Sequence, residues 1–162
     1  MEGKKLNAGC GSNILKGWVN LDIFKAPGVD KVHNLEVKPW PFDKNTFSMV
    51  LMDNVLEHLE NPLEIGEEIF RILENQGIWD FRVPYFTSVG AYQDPTHKHY
   101  FSEQVWKYFV DNPYNKKFTF SLKSVKFIYN RPFRYLPFRN LFRYAFNNVV
   151  RELQIQIVAE KK

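Results

Sequence analysis

Cysteine is almost absent: Cys10 is the only one, so the chain can close no disulfide within itself. That fits a reducing compartment, and a cytoplasmic location is expected. Long hydrophobic runs are missing too. No stretch of about 18 apolar residues occurs, which argues against a membrane-spanning helix. The first residues, Met-Glu-Gly-Lys-Lys, run into a short apolar stretch containing Asn7 and do not form a signal peptide. There is no internal repeat, low-complexity tract or long linker, so one domain is expected over residues 1–162. Acidic residues are missing from 116–151, where four Lys and five Arg stand. Against a net charge of +4, those nine positive charges leave a net −5 on the rest of the chain. What is abundant is aromatic: 17% of the residues, with fifteen Phe and eight Tyr. Such a chain can fill a sizeable core and still leave aromatic surface over for a ligand or partner.

The hydrophobic pattern alternates between strand and helix. Lys5–Gly9 reads as a short buried strand ending in a glycine turn, Trp18–Ile23 as a second strand and Val32–Leu35 as a third. Phe47–Asp53 is nearly continuous in apolar residues, as an inner parallel strand is. Asn61-Pro62 reads as an N-cap and first helical position, followed by Leu63, Ile65, Ile69, Ile72 and Leu73 at helical spacing, with Gly77 as the stop. Ile78–Val83 is a fifth strand. Ser102 caps a helix carrying Val105, Trp106 and Phe109, which stops before Pro113. Phe118–Tyr129 and Glu152–Ala159 read as strands, with helical character across Arg131–Val150 between them.

This order implies an α/β fold: a Rossmann-like, mostly parallel sheet with a C-terminal antiparallel hairpin. Only about eight residues separate the first strand from the second and the second from the third, whereas a parallel crossover with a helix takes a dozen or more. Helices on one face are therefore expected to be reduced. The aromatic stretch Phe138–Phe146 is expected to cover that bare face.

Several motifs fall at strand ends. Leu6-Asn7-Ala8-Gly9-Cys10-Gly11-Ser12 places glycines where backbone can approach a ligand closely, at the edge where open α/β sheets bind. It is not a dinucleotide fingerprint, because Ile14 stands where G-x-G-x-x-G needs its third glycine. A plain tight turn is the alternative. Asp22 ends the second strand, where a carboxylate can accept from both hydroxyls of a ribose or simply close a turn. His33-Asn34-Leu35 can meet an adenine edge or be strand-end loop. Asp53-Asn54-Val55-Leu56-Glu57-His58 puts polar groups at the same edge.

Taken together, Asn-Ala-Gly-Cys-Gly, Asn-Leu-Asp-Ile, Pro-Phe-Asp-Lys-Asn-Thr-Phe-Ser-Met-Val and Asn-Val-Leu-Glu-His-Leu resemble the motif order of class I S-adenosylmethionine (SAM) dependent methyltransferases, in particular the compact type-11 group. The resemblance covers roughly residues 4–86. It implies SAM as cofactor. Asn7, Ala8, Gly9, Cys10, Gly11 and Ser12 would cradle its methionine part, Asp22 would hold the ribose and Ile23 would pack on adenine. Asn34 and Leu35 would flank the adenine edge, and Asp53 and Asn54 would lie near the methionine moiety. Two positions depart from the pattern: the family often has an acid where Asn7 stands and Asp where Asn34 stands.

Tyr92-Gln93-Asp94-Pro95-Thr96-His97-Lys98-His99-Tyr100-Phe101 follows the fifth strand, where acceptor-binding segments lie in this fold. Asp94 and His97 are the expected catalytic pair, Asp orienting an imidazole that serves as general base. A metal held by Asp94, His97 and His99, or a purely structural loop, are the other readings, and no metal is expected. His58 is expected to be structural or part of the pocket wall, and a catalytic role for Cys10 is disfavoured.

The basic, aromatic stretch 131–146 has four readings. It covers core with Arg snorkelling outward, rests on an anionic membrane surface, lines a pocket for a small molecule, or binds RNA, the least favoured since no RNA-binding module is evident. The functional expectation is methyl transfer from SAM to an oxygen or nitrogen of a small-molecule or lipid- or glycan-linked acceptor, by a monomer or homodimer. Its rivals are a catalytically inactive SAM-fold regulatory module and a short nucleotide-dependent dehydrogenase.

Overall fold

A computed structural model describes residues 3–110 and 117–161. The stop before Pro113 and the start of the basic segment at 116 lie outside the described residues. Seven strands form one sheet in the order β3-β2-β1-β4-β5-β7-β6. They are β1 Lys5–Ala8, β2 Val19–Asp22, β3 Lys31–Val32, β4 Phe47–Asp53, β5 Leu73–Pro84, β6 Phe120–Tyr129 and β7 Val150–Ala159. Pairs among β1 to β5 are parallel, while β7 runs antiparallel to both β5 and β6. The expected mostly parallel sheet with antiparallel C-terminal strands is the observed one. Because β1, β2, β4 and β5 run the same way, Gly9, Asp22, Asn54 and Tyr85 all stand at or just past strand ends on one edge.

One face is covered. Helix α1, Pro62–Ile72, starts at Asn61, whose side chain accepts from the Glu64 N–H, with Pro62 at the first position. Ile65, Ile69 and Ile72 sit one turn apart and are buried. They pack with Trp79, Phe81, Ile155 and Ile157 into a single core with Val50 and Met52. Three short helices follow: α2 Val89–Tyr92, α3 Lys107–Val110 and α4 Arg131–Arg134, then α5 Arg139–Ala145. Phe109 of α3 meets Trp79 edge to face with ring centroids 4.8 Å apart.

Gly77 does not end α1. The helix stops at Ile72, and Leu73 already pairs with Phe47 of β4. Residues 74–77 then turn out of the ladder before Ile78 rejoins it opposite Met49. Gly77 serves that turn: a Cβ there would lie 2.9 Å from the Glu74 carbonyl oxygen. The third strand is shorter than expected, Lys31–Val32 rather than Val32–Leu35.

The crossovers from β1 to β2 and from β2 to β3 hold no helix among the described residues. A polar network takes its place. Asn20 Oδ1 accepts from Asn7 Nδ2 at 3.0 Å and from the Leu15 N–H at 2.9 Å, and Asp30 Oδ2 accepts from the Asn20 N–H at 2.7 Å. The expectation that Phe138–Phe146 covers the bare face is overturned. Helix α5 buries no residue, and Phe138 is 78% exposed. It is tethered instead at the β6 edge, where Tyr129 donates to Asn140 and Arg143 pairs with Glu103 and lies 4.2 Å over the Phe127 ring. That edge is the opposite end of the sheet from β3, so the chain cannot lay this helix over the short crossovers.

Candidate functional site at the carboxyl edge of the sheet

The glycine turn is built for close approach. Gly9 has φ +71°, and both Gly9 and Cys10 donate backbone N–H groups to the Leu21 carbonyl at 2.9 and 3.0 Å. A Cβ on Gly9 would come within 2.6 Å of the Val55 side chain, which ties the turn to the segment after β4. Gly11, at φ +50°, has nothing within 4 Å of where its Cβ would stand. This is a bare backbone surface facing open space. Asp22 closes the turn: its carboxylate accepts from the Gly11 N–H at 2.7 Å and the Phe24 N–H at 3.0 Å. Each oxygen keeps a further lone pair for a hydroxyl. Ile23 and Phe24 stand exposed beside it, at 51% and 75%. Open glycine backbone, a carboxylate with acceptor capacity to spare and exposed apolar side chains thus lie along one strip.

Other residues expected there are tied down. Asn7 is buried and donates its amide to both Asn20 Oδ1 and the Asn13 carbonyl. That job needs a donor, so an acid would not serve in its place. Asn34 is exposed and caps its own turn by accepting from the Glu36 N–H, while the Leu35 side chain is core and its carbonyl accepts from Trp40 Nε1. Asp53 accepts from Arg82 Nη1 at 3.0 Å and from Asn54 Nδ2 at 3.0 Å. Ala8 is buried and Ser12 is exposed on the turn. Burial and the nearby Asp22 raise the Cys10 thiol, keeping it protonated.

A second cluster lies one step along, past Val55. Asn54, Glu57, His58, Gln93, Asp94, His97 and Glu152 line a cavity of about 300 Å³. Asp94 and His97 do line it, but Asp94 does not orient His97. Asp94 Oδ1 accepts from the Thr96 hydroxyl at 2.7 Å, and Thr96 in turn bonds His58 Nδ1 at 2.9 Å. The Thr96 hydrogen bonds hold the Asp94 carboxyl below its ordinary range. His97 Nδ1 faces the Ala91 carbonyl at 2.8 Å, and its ring meets that of His58 edge to face at 4.7 Å. Burial, then the neighbouring His97, lowers His58. Burial pushes the Glu57 carboxyl up to about 7. His99 is elsewhere, bonded to the Glu60 carbonyl and stacked near Phe101.

The sequence and the fold both find matches among known proteins. A family model described as methyltransferase domain matches residues 6–79. A SAM dependent methyltransferase from Archaeoglobus fulgidus superposes with TM-score 0.68 at 14% identity, over 97% of this chain and 86% of that one. A SAM-dependent methyltransferase from Methanosarcina mazei does so with TM-score 0.65 at 16% identity, over 99% and 94%. The cyclase SpnF gives TM-score 0.68 at 12% identity, over 100% and 77%. The family model thus covers somewhat under half of the chain, and the fold is the one that these SAM-dependent methyltransferases share. No curated protein matches it in sequence. At these identities the solved structures speak for the fold alone, and a cyclase among them shows that the fold does not dictate the reaction.

Within this methyltransferase fold, Gly9, Gly11 and Asp22 stand together on one strip of the edge, with Ile23 beside them. Asn54, Asp94 and His97 share the adjoining cavity. The residue that sequence reasoning left without a role is Glu57, and His58 was assigned only to the wall. The one signal was their place directly after β4, at the end of Asp53-Asn54-Val55-Leu56.

Proposed function

We propose that the protein transfers a methyl group from SAM to an oxygen or nitrogen of its acceptor, working as one domain over the whole chain. The observation that carries this reading is the glycine turn at the carboxyl edge, open at Gly11 and locked by Asp22. In it the turn backbone from Asn7 to Ser12 holds the methionine part, Asp22 the ribose hydroxyls and Ile23 the adenine. Asn34, Leu35, Asp53 and Asn54 border the cofactor, mostly through backbone, since their side chains are engaged. The cofactor supplies the reactive methyl; the chain supplies binding, orientation and exclusion of water.

His97 is the acceptor-side base in this reading. With its Nδ1 proton given to the Ala91 carbonyl, Nε2 carries the lone pair and can take the acceptor proton as the methyl moves. Asp94 acts at one remove, through Thr96 and His58. A small-molecule or lipid- or glycan-linked acceptor is favoured over RNA. The exposed basic aromatic segment supports peripheral contact with an anionic membrane surface, and among the described residues no helix is long and apolar enough to cross a membrane. An unpaired thiol at Cys10 suits the cytoplasm. The oligomeric state is taken as monomer or homodimer.

The second reading, an inactive SAM-fold regulatory module, draws on the missing crossover helices and on side chains of Asn7 and Asn34 spent within the fold. Calorimetry with SAM, S-adenosylhomocysteine and NAD separates the readings. Micromolar binding of the first two and none of NAD, followed by product formation with an acceptor panel, supports the enzyme. SAM binding without turnover favours the module, and no SAM binding rejects the cofactor site.

A further inference from the structure

Glu57 is fully buried, and neither of its carboxylate oxygens meets a hydrogen-bond partner among the described residues. A bare buried carboxylate is among the costliest states a side chain can hold. The field around it makes matters worse, since Asp53, Glu152 and Asp94 all act against its charge. One ligand atom each from Glu57, His58 and His97 lies within 4.8 Å of the others.

The tautomers follow from the partners. Thr96 has one hydroxyl proton, and Asp94 accepts it. The Thr96 oxygen therefore accepts from His58 Nδ1. The Ala91 carbonyl can only accept, so His97 Nδ1 donates to it. Both rings are thus protonated at Nδ1 and carry a lone pair at Nε2. An imidazole whose N–H is fixed by an oxygen and whose other nitrogen is free is the arrangement found behind metal-ligating histidines.

We propose that Glu57, His58 and His97 bind a divalent first-row transition ion of the zinc class, through one carboxylate oxygen and two imidazole Nε2 atoms, leaving a coordination position open to the cavity. One carboxylate and two imidazoles form the donor set of open, catalytic zinc sites. Bonds of about 2.0–2.2 Å require the donors to draw in by roughly an ångström. The adjoining cavity of about 300 Å³ leaves room for a further ligand beside Gln93 and Asn54. Where the methyltransferase reading holds, such an ion would favour ionisation of an acceptor hydroxyl, and the base role given to His97 above would then belong to the metal-free chain alone. Ion binding itself does not depend on that reading.

The test uses the full chain stripped with a chelator. Zn²⁺ is titrated against a competing indicator, and Co²⁺ is added separately to read coordination from its visible bands. One ion per chain is expected. His58→Gln, His97→Gln and Glu57→Gln should each lose about tenfold or more in affinity. His33→Gln and His99→Gln should lose none, because their rings bond the Val37 and Glu60 carbonyls away from the cluster. Circular dichroism checks each variant. Should Glu57→Gln fail to fold, His97→Gln and the cobalt spectrum of the unaltered chain decide. No uptake by the unaltered chain, or equal uptake by His97→Gln, overturns the proposal. SAM calorimetry on the same metal-free sample keeps the readings apart: SAM binding without ion uptake rejects the ion alone, and ion uptake without SAM binding rejects the cofactor alone.

Discussion

Asp22 has one job in the fold and a second in the proposed complex, and one variant bears on both. Its carboxylate holds the Gly11 and Phe24 N–H groups, and in the proposed complex it also receives the ribose. Asp22→Ala should weaken SAM binding by about 1–3 kcal/mol, the cost of a lost charged hydrogen bond; unchanged affinity by calorimetry would remove Asp22 from the site. Glu57 gives a prediction about stability. Its carboxyl is pushed from 4.5 to about 7. Between those values the folded chain keeps a proton that the unfolded chain has released, so metal-free stability falls as pH rises through that window. Glu57→Gln removes the fall. Its unfolding free energy from urea titration, relative to the unaltered chain, should therefore rise between about pH 5 and pH 7, by roughly 1 kcal/mol per pH unit. A constant difference would mean that Glu57 is already charged in the fold. The position of the glycine turn and of Asp22 at the strand ends was legible from the apolar runs that precede them, and the structure shows Asp22 closing the turn. Glu57 was not, because nothing in Val55-Leu56-Glu57-His58 announces that its acid is buried.

At the scale of elements, legibility followed the strength of the local signal. Phe47–Asp53 was read to the residue because an inner strand is apolar on both faces. The start of α1 was read from Asn61-Pro62, a cap with a direct mechanism. Its end was missed because Gly77 imitates a helix stop, while the real stop is set by pairing with β4, a contact distant in sequence. Asn61→Ala should cost about 1 kcal/mol, seen as a lowered thermal midpoint, since the Glu64 N–H loses its acceptor. No change would mean that Pro62 and the burial of Ile65 and Ile69 fix the helix start unaided. The glycine turn should be untouched by this variant, and SAM affinity is the control.

The whole molecule is asymmetric. One face of the sheet carries α1 and α3, and the other leaves Met49, Leu51, Ile78 and Val158 half-buried with no crossover helix beside β1 and β2. The sequence reading joined this bare face to the aromatic segment, since aromatic residues at helical spacing usually mean burial. Chain connectivity decides otherwise: the segment links β6 to β7, the strands farthest from the short crossovers. It therefore presents Tyr135, Phe138 and Tyr144 outward, at 80%, 78% and 72% exposure, among exposed Arg131, Arg134 and Arg139. Rings flanked by guanidinium groups suit an anionic lipid surface, where charge attracts and aromatic groups settle at the headgroup level. Arg143 is the wrong residue for a test, because its pairing with Glu103 is structural. Replacing Arg131, Arg134 and Arg139 with Gln should remove about 1 kcal/mol of vesicle binding per residue on phosphatidylserine membranes at low salt. The difference should shrink as salt rises. Phe138→Ser should weaken binding in a way that salt does not change. Equal flotation of all variants would withdraw the membrane contact and with it the preference for a lipid-linked acceptor, while leaving the cofactor edge and the Glu57 cluster as they stand.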